Sequence, residues 1–129
     1  MKTVVIAGSA RLEMEVQKWK RHWEEKQDVV LDYPRPIPSD RFLEKYPSVF
    51  EKFFDHLAQA DVVFVMNEPK NGIPGYIGPE TFAELAYAVY LRMKTRRRPE
   101  ILVLSRPQPE MRGSEEVFLW EKLGMLKFI

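Results

Sequence analysis

One stretch of the sequence combines a glycine-rich loop with a carboxylate in an unusual position. Residues 72–90 follow the apolar run at residues 62–66 and become rich in Ala, Leu and Glu after the loop. This pattern predicts a buried strand, a loop and a helix, and open α/β sheets bind their ligands at such junctions. Glu84 directly precedes Leu85 and Ala86, where the helix must pack on the sheet. A carboxylate there is poorly solvated and destabilising, which favours a role in chemistry.

The loop before that helix offers further contacts for a ligand. Gly75 and Gly78 would let the backbone approach a ligand closely, and Tyr76 lies between them. The main structural alternative for Glu84 is a capping box, because Thr81 and Glu84 have the spacing that this motif requires. In that case Glu84 would only stabilise the start of the helix.

A second candidate site follows the first apolar run, at residues 3–7. Gly8 and Ser9 would provide a tight turn, a hydroxyl and free backbone N–H groups at the start of a helix, an arrangement that commonly holds anions. Arg11 adds a fork-shaped donor that suits phosphate. Alternatively, Gly8 only makes the turn and Ser9 only caps the helix.

Short apolar strands and amphipathic helices alternate along the chain and must position these residues. Strands are predicted at residues 3–7, 29–31, 62–66 and 101–104, with the apolar tail at 123–129 as a candidate fifth strand. Helices are predicted at residues 12–26, 42–60 and 79–95, and a fourth begins at Ser114, its candidate cap. Pro47 is expected to break or start the second helix, and three prolines make residues 32–38 a long loop.

This alternation predicts an α/β fold in which helices cover both faces of a parallel five-stranded sheet. We expect a single domain over residues 1–129, a flavodoxin-like, Rossmann-like three-layer sandwich with strand order 2-1-3-4-5. In that order the crevice opens between the carboxyl ends of strands one and three. Gly8, Asn67 and the stretch that contains Glu84 would then lie together.

Composition excludes several classes of function. With 20 basic and 19 acidic residues the net charge is +1, so we expect no nucleic-acid partner. Cysteine is absent, which removes disulfides and thiolate metal sites and fits a cytoplasmic protein. The histidines, His22 and His56, lie far apart on predicted helices, so no metal site is expected. No segment is long and apolar enough to predict a membrane span.

The motifs together resemble the nucleoside 2-deoxyribosyltransferase family, which includes 2'-deoxynucleoside 5'-monophosphate N-glycosidases. The resemblance rests on residues 60–67, the glycine-rich loop and residues 84–88, with weaker similarity at residues 8–11 and 101–107. It implies that Glu84 is the nucleophile that attacks the anomeric carbon of the sugar. The implied reaction is transfer or hydrolysis of the N-glycosidic bond of a 2'-deoxynucleoside or its 5'-monophosphate, without a metal or organic cofactor.

The sequence departs from that family's pattern where helper acids are expected. Phe53 and Gly78 occupy the positions of those acids, and Ala86 replaces a glycine of the motif. Glu80, one helical turn before Glu84, and Asn67 are the candidate substitutes. The losses motivate a rival interpretation, a non-catalytic domain that binds a nucleotide or an ADP-ribose-type ligand. A structural subunit without a ligand is the third possibility.

The resemblance also implies a homodimer or larger homo-oligomer. The apolar tail at residues 125–129 and Trp120 fit such an assembly, because apolar side chains at the end of a chain often pack against a second copy.

Overall fold

The computed structural model describes all residues from 1 to 129. Five parallel strands form one sheet in the order β2-β1-β3-β4-β5, which confirms the predicted α/β fold and its flavodoxin-like strand order. The strands are β1 (Thr3–Ala7), β2 (Val29–Asp32), β3 (Val62–Val65), β4 (Glu100–Val103) and β5 (Lys127–Phe128). The α-helices are α1 (Glu13–Glu25), α2 (Phe42–Gln59), α3 (Pro79–Thr95) and α4 (Ser114–Lys122), and a short 3-10 helix, Ser39–Arg41, precedes α2.

Alternation along the central strands divides the core between the two faces of the sheet. Val4 and Ile6 of β1 belong to a cluster with Val16 and Trp23, so α1 covers this face. Val5 and Ala7 point to the other face, where α2, α3 and α4 pack over a larger cluster. The central strand β3 is buried along its whole length, as expected for a strand covered on both sides.

Two predictions about helix ends are wrong. Pro47 neither starts nor breaks α2, which continues through it; Pro47 lies early in the helix, and its missing N–H leaves the carbonyl of Leu43 without that helical bond. Ser114 is not the cap of α4, because Gly113 occupies that position in the left-handed conformation that glycine favours. The Ser114 hydroxyl instead donates a hydrogen bond to the carbonyl of Pro109 over 2.8 Å.

The carboxyl ends of β1, β2 and β3 form the edge of the sheet on which the candidate site is built. Ala7 pairs with Val65 in the parallel register, so the loops after β1 and β3 leave the sheet side by side. Asp32 ends β2 at the same edge and is buried. None of the helices combines the length and the apolar character that a membrane span requires.

Candidate active site

A cavity of about 970 Å³ opens at this edge of the sheet. The loop after β1, the proline-rich loop after β2, the first half of α2 and the start of α3 enclose it. Seven of the nine residues predicted to form the site line this cavity: Gly8, Ser9, Arg11, Tyr76, Gly78, Glu80 and Glu84. The cavity lies where the strand order reverses between β1 and β3, the usual ligand position in open α/β sheets.

Glu84 is a buried carboxyl group that no other part of the protein satisfies. Only 7% of the residue is exposed, and no hydrogen bond contributes to its protonation equilibrium. Burial, followed by the charges of Glu80 and Asp32, raises the pKa of Glu84 to about 8. A buried carboxyl group without a hydrogen bond, at the wall of a cavity, is typical of a functional site in which the bound ligand supplies the missing interaction.

The capping-box alternative for Glu84 is wrong. The cap of α3 is Gly78, and Thr81 lies inside the first turn of the helix, so it cannot cap. Pro79 takes the first helical position, where its missing N–H is tolerated. Glu84 therefore has no structural task at the helix start that would explain its burial.

Tyr46 of α2 brings a hydroxyl to the same wall of the cavity. Its ring stacks on Phe42 and is tilted against Phe50, with centroid distances of 5.3 and 5.7 Å. Burial, and then the charges of Glu80 and Glu84, raise the pKa of Tyr46, so its phenol stays a proton donor at neutral pH. The i, i+4 repeat of aromatic residues along α2 is visible in the sequence and was a signal for this wall.

Asn67 and Gly75 do not line the cavity, contrary to their prediction as substrate contacts. The Asn67 amide donates to the carbonyls of Gly75 and Ser105 over 3.2 and 2.7 Å, and its carbonyl accepts from the Ser105 N–H over 2.9 Å. Gly75 has a φ of +65°, and a Cβ there would lie 2.7 Å from the carbonyl oxygen of Arg106. Asn67 through its hydrogen bonds, and Gly75 through its close approach to Arg106, hold the glycine-rich loop against the turn after β4.

Removal of this fastening is expected to destabilise the fold. Asn67→Ala deletes three hydrogen bonds and leaves the Gly75 and Ser105 backbone groups without them, which lowers the free energy of unfolding by about 2–3 kcal/mol. Urea denaturation measures the change, with the exposed Gln108→Ala as the neutral control. A variant as stable as the wild type would show that Asn67 does not hold the loop.

The positions of the missing helper acids are apolar or compact in the structure. Phe53 lines the cavity and belongs to the core, with 8% of the residue exposed. Asp55, two residues on, is exposed and lies outside the cavity. Gly78 is the cap of α3, and a Cβ there would meet the Tyr76 ring at 3.3 Å. None of these three positions supplies an acid to the site.

Asp32 is a second buried carboxylate at the cavity, and it was not predicted as a site residue. The oxygen Oδ2 accepts a hydrogen bond from Nδ1 of His56 over 2.7 Å. The oxygen Oδ1 accepts from the Tyr33 N–H over 2.9 Å and from the Arg35 guanidinium over 3.3 Å. The position of Asp32 directly after the apolar run at residues 29–31 was a signal in the sequence, whereas nothing in the sequence spacing pairs it with His56.

The basic side chains of the cavity lie around its mouth. Arg11 and Lys52 are exposed and form no ion pair. The Ser9 hydroxyl accepts a hydrogen bond from the Arg11 N–H over 3.3 Å, and its own proton remains free to donate. Arg11, Lys52 and Ser9 can therefore bind an anionic group of a ligand.

No group of three or more His, Cys, Asp or Glu side chains is placed to hold a metal ion. The cavity instead contains two buried carboxyl groups, Asp32 with hydrogen-bond partners and Glu84 without them. The phenol of Tyr46 and several basic side chains line the same cavity. Such a site can stabilise a positive charge that develops at a carbon atom and can form a covalent ester with it.

Comparisons with known proteins support the fold. The chain matches none of the protein-family models and none of the curated proteins. Among solved structures it is similar to the CMP N-glycosidase BcmB of Clostridium botulinum, with a TM-score of 0.58 and 17% sequence identity. The similarity covers 99% of this chain and 87% of BcmB. At this level of identity, the similarity shows that the two chains share the fold.

Proposed function

We propose that this protein cleaves the N-glycosidic bond of a nucleoside 5'-monophosphate, with Glu84 as the nucleophile. The observation that carries the proposal is the unsatisfied, buried Glu84 at the wall of the cavity. The resemblance of the sequence to nucleoside 2-deoxyribosyltransferases and N-glycosidases supports it, and so does the fold shared with a CMP N-glycosidase. Both point to the same class of bond.

In the first step a Glu84 oxygen forms a bond to C1' of the sugar while the bond from C1' to the base nitrogen breaks. The electron pair of that bond goes to the base, which takes up a proton to leave as a neutral molecule. Glu84 gives up its proton as it attacks, and Glu80 and Tyr46, which lie within electrostatic reach of Glu84, are the groups that we assign to pass this proton to the base. In the second step water attacks C1', the ester bond breaks, and one proton of the water returns Glu84 to its neutral carboxyl form.

The protonation of Glu84 fits this sequence of events. The free protein holds Glu84 largely as the neutral acid at pH 7, because burial and neighbouring charge raise its pKa. A sugar that develops positive charge at C1' favours the ionised form of Glu84, because the carboxylate then stabilises a cation next to it. The interaction is therefore stronger in the transition state than in the free protein, which is what catalysis requires.

The cations at the mouth of the cavity favour a substrate that carries phosphate. Arg11 and Lys52 have no carboxylate partners, and the Ser9 hydroxyl and the turn at Gly8 lie beside Arg11. A 5'-phosphate at this place would form charge-assisted hydrogen bonds. We therefore prefer a nucleoside 5'-monophosphate to a nucleoside. The sequence resemblance implies 2'-deoxyribose as its sugar, whereas CMP, the nucleotide in the name of BcmB, carries ribose.

Incubation with a panel of nucleosides and their 5'-monophosphates tests the proposal. Each reaction is followed by chromatography for free base, with and without a second added base, which separates hydrolysis from transfer. We expect base release from at least one monophosphate at a higher kcat/KM than from its nucleoside. Tight binding of a nucleotide without release of base would support the non-catalytic binding domain instead.

The homodimer stays a prediction. The apolar tail that motivated it packs largely within its own chain, because Leu126 is buried and Met125, Phe128 and Trp120 pack against the core. Other apolar side chains are exposed on α2 and α3, among them Phe50, Tyr90 and Met93. Light scattering coupled to size exclusion measures the mass in solution, and a monomer at micromolar concentration would contradict the prediction.

A further inference from the structure

Asp32 is a carboxylate with three of its hydrogen-bond positions filled. Each ionised carboxylate oxygen accepts about two hydrogen bonds. Oδ1 of Asp32 receives both of its bonds, from the Tyr33 N–H and from Arg35, whereas Oδ2 receives only that from His56. One acceptor position on Oδ2 is therefore open, and the residue lines the cavity. A ligand that fills this position must present a hydrogen-bond donor.

The three donors fix the direction of this carboxylate. His56 lies behind Asp32 on α2, at a distance of 2.7 Å between Nδ1 and Oδ2, and it must donate because the ionised Asp32 only accepts. Arg35 forms an ion pair with the other oxygen. Only 7% of Asp32 is exposed. Burial and the three hydrogen bonds together restrict its carboxylate to one orientation.

We propose that the open oxygen of Asp32 accepts a hydrogen bond from the 2'-hydroxyl of the substrate sugar, so that the cavity selects ribose over 2'-deoxyribose. This inference rests on the proposed function for the identity of the ligand as a nucleotide. It differs from the 2'-deoxy substrate that the sequence resemblance implies. The neutral carboxyl of Glu84 and the phenol of Tyr46 line the same cavity, and neither is a carboxylate held in place by three donors, as Asp32 is.

The stereochemistry of nucleosides places the 2'-hydroxyl on the side of Asp32. The base and the 2'-hydroxyl lie on opposite faces of the sugar ring, so a nucleophile that attacks C1' opposite the base approaches the face that carries this hydroxyl. Asp32 and Glu84 line the same cavity, and the charge of Asp32 contributes to the raised pKa of Glu84, so we assign both carboxyl groups to this face of the sugar. In dinucleotide-binding α/β folds an acidic residue after the glycine loop similarly binds a ribose hydroxyl.

The first test uses the wild-type protein alone. We expect it to bind ribose 5-phosphate about 10- to 100-fold more tightly in calorimetry than 2-deoxyribose 5-phosphate, the gain of one charge-assisted hydrogen bond. The same ratio is expected in kcat/KM between CMP and its 2'-deoxy analogue, whereas the 3'-deoxy analogue should behave like CMP. Equal values for the ribose and 2'-deoxyribose compounds, or a loss confined to the 3'-deoxy compound, would overturn the inference.

The second test uses Asp32→Asn, with Asp55→Asn on the exposed side of α2 as its matched control. We expect the preference for ribose to fall to within about threefold in Asp32→Asn, because a neutral amide makes the weaker hydrogen bond. The preference should be unchanged in Asp55→Asn. A purely structural role of Asp32 would weaken both sugars equally and leave their ratio unchanged, which would overturn the inference.

The two proposals fail in different ways. Cleavage of ribose and 2'-deoxyribose nucleotides at equal rates would sustain the proposed function and overturn the role of Asp32. A preference for ribose 5-phosphate in calorimetry without any release of base would sustain the role of Asp32 and overturn the proposed reaction. Failure to bind either sugar phosphate, together with no release of base from any nucleotide, would overturn both.

Discussion

Glu84→Gln is expected to lose at least about a thousandfold in kcat for base release, because a neutral amide can form no ester with C1' and gives the cationic sugar no counter-charge. Glutamine keeps the length and nearly the shape of the side chain, so the cavity that holds the nucleotide should be retained. The KM or dissociation constant of the substrate should therefore change much less than kcat. Single-turnover kinetics with the best monophosphate of the panel measures both quantities.

Two other variants calibrate this result. Glu80→Gln should fall about 10- to 100-fold, because Glu80 is assigned to proton donation, which other groups partly replace. Glu116→Gln, on the exposed side of α4, should retain wild-type activity. If Glu84→Gln kept more than a tenth of the wild-type kcat, another group would have to be the nucleophile.

The same substitution is expected to stabilise the protein at neutral and alkaline pH. The pKa of Glu84 is about 8 in the folded state, against an ordinary value of 4.5, so the folded state holds a proton that the unfolded state releases. Between these values a rise in pH favours unfolding, and the wild type loses about 1.4 kcal/mol per pH unit relative to Glu84→Gln. By pH 7.5 the accumulated difference is about 4 kcal/mol.

Urea denaturation at half-unit steps from pH 4.5 to 8.5 measures this difference. The other titrating groups are shared by the two proteins, so their contributions cancel when the curves are subtracted. Glu116→Gln again serves as the control, and its curve should run parallel to the wild type. Parallel curves for the wild type and Glu84→Gln would show that Glu84 has an ordinary pKa and is not held as the neutral acid.

Most strands and helices could be predicted because each depends on a pattern within a short segment of the sequence. Apolar β-branched runs of three to five residues predicted four strands to within one residue, and their alternation with helices predicted the sheet order. The exceptions have local causes as well. The helix α2 continues through Pro47 at the loss of one helical hydrogen bond, and Ser114 is displaced as a cap by the left-handed Gly113.

The site was predictable where its residues follow a strand and unpredictable where they depend on pairing in space. Glu84 stands out in the sequence because a carboxylate precedes apolar residues on a packed helix. Asn67 also follows a strand, but its amide donates hydrogen bonds to the carbonyls of Gly75 and Ser105, and no spacing in the sequence reveals these contacts. The partnership of Asp32 with His56 joins residues on different elements and is visible only after the chain has folded.

The anomeric configuration of a product formed in the presence of methanol tests the central claim most directly. Methanol competes with water for the sugar attached to Glu84, and the methyl glycoside that results does not change its configuration in solution. A covalent intermediate on Glu84 requires two displacements at C1', so the protein should yield the β-methyl glycoside from a β-nucleotide, with retention. Nuclear magnetic resonance of the product identifies the anomer. Formation of the α-anomer, or release of no base from any nucleotide, would contradict the account.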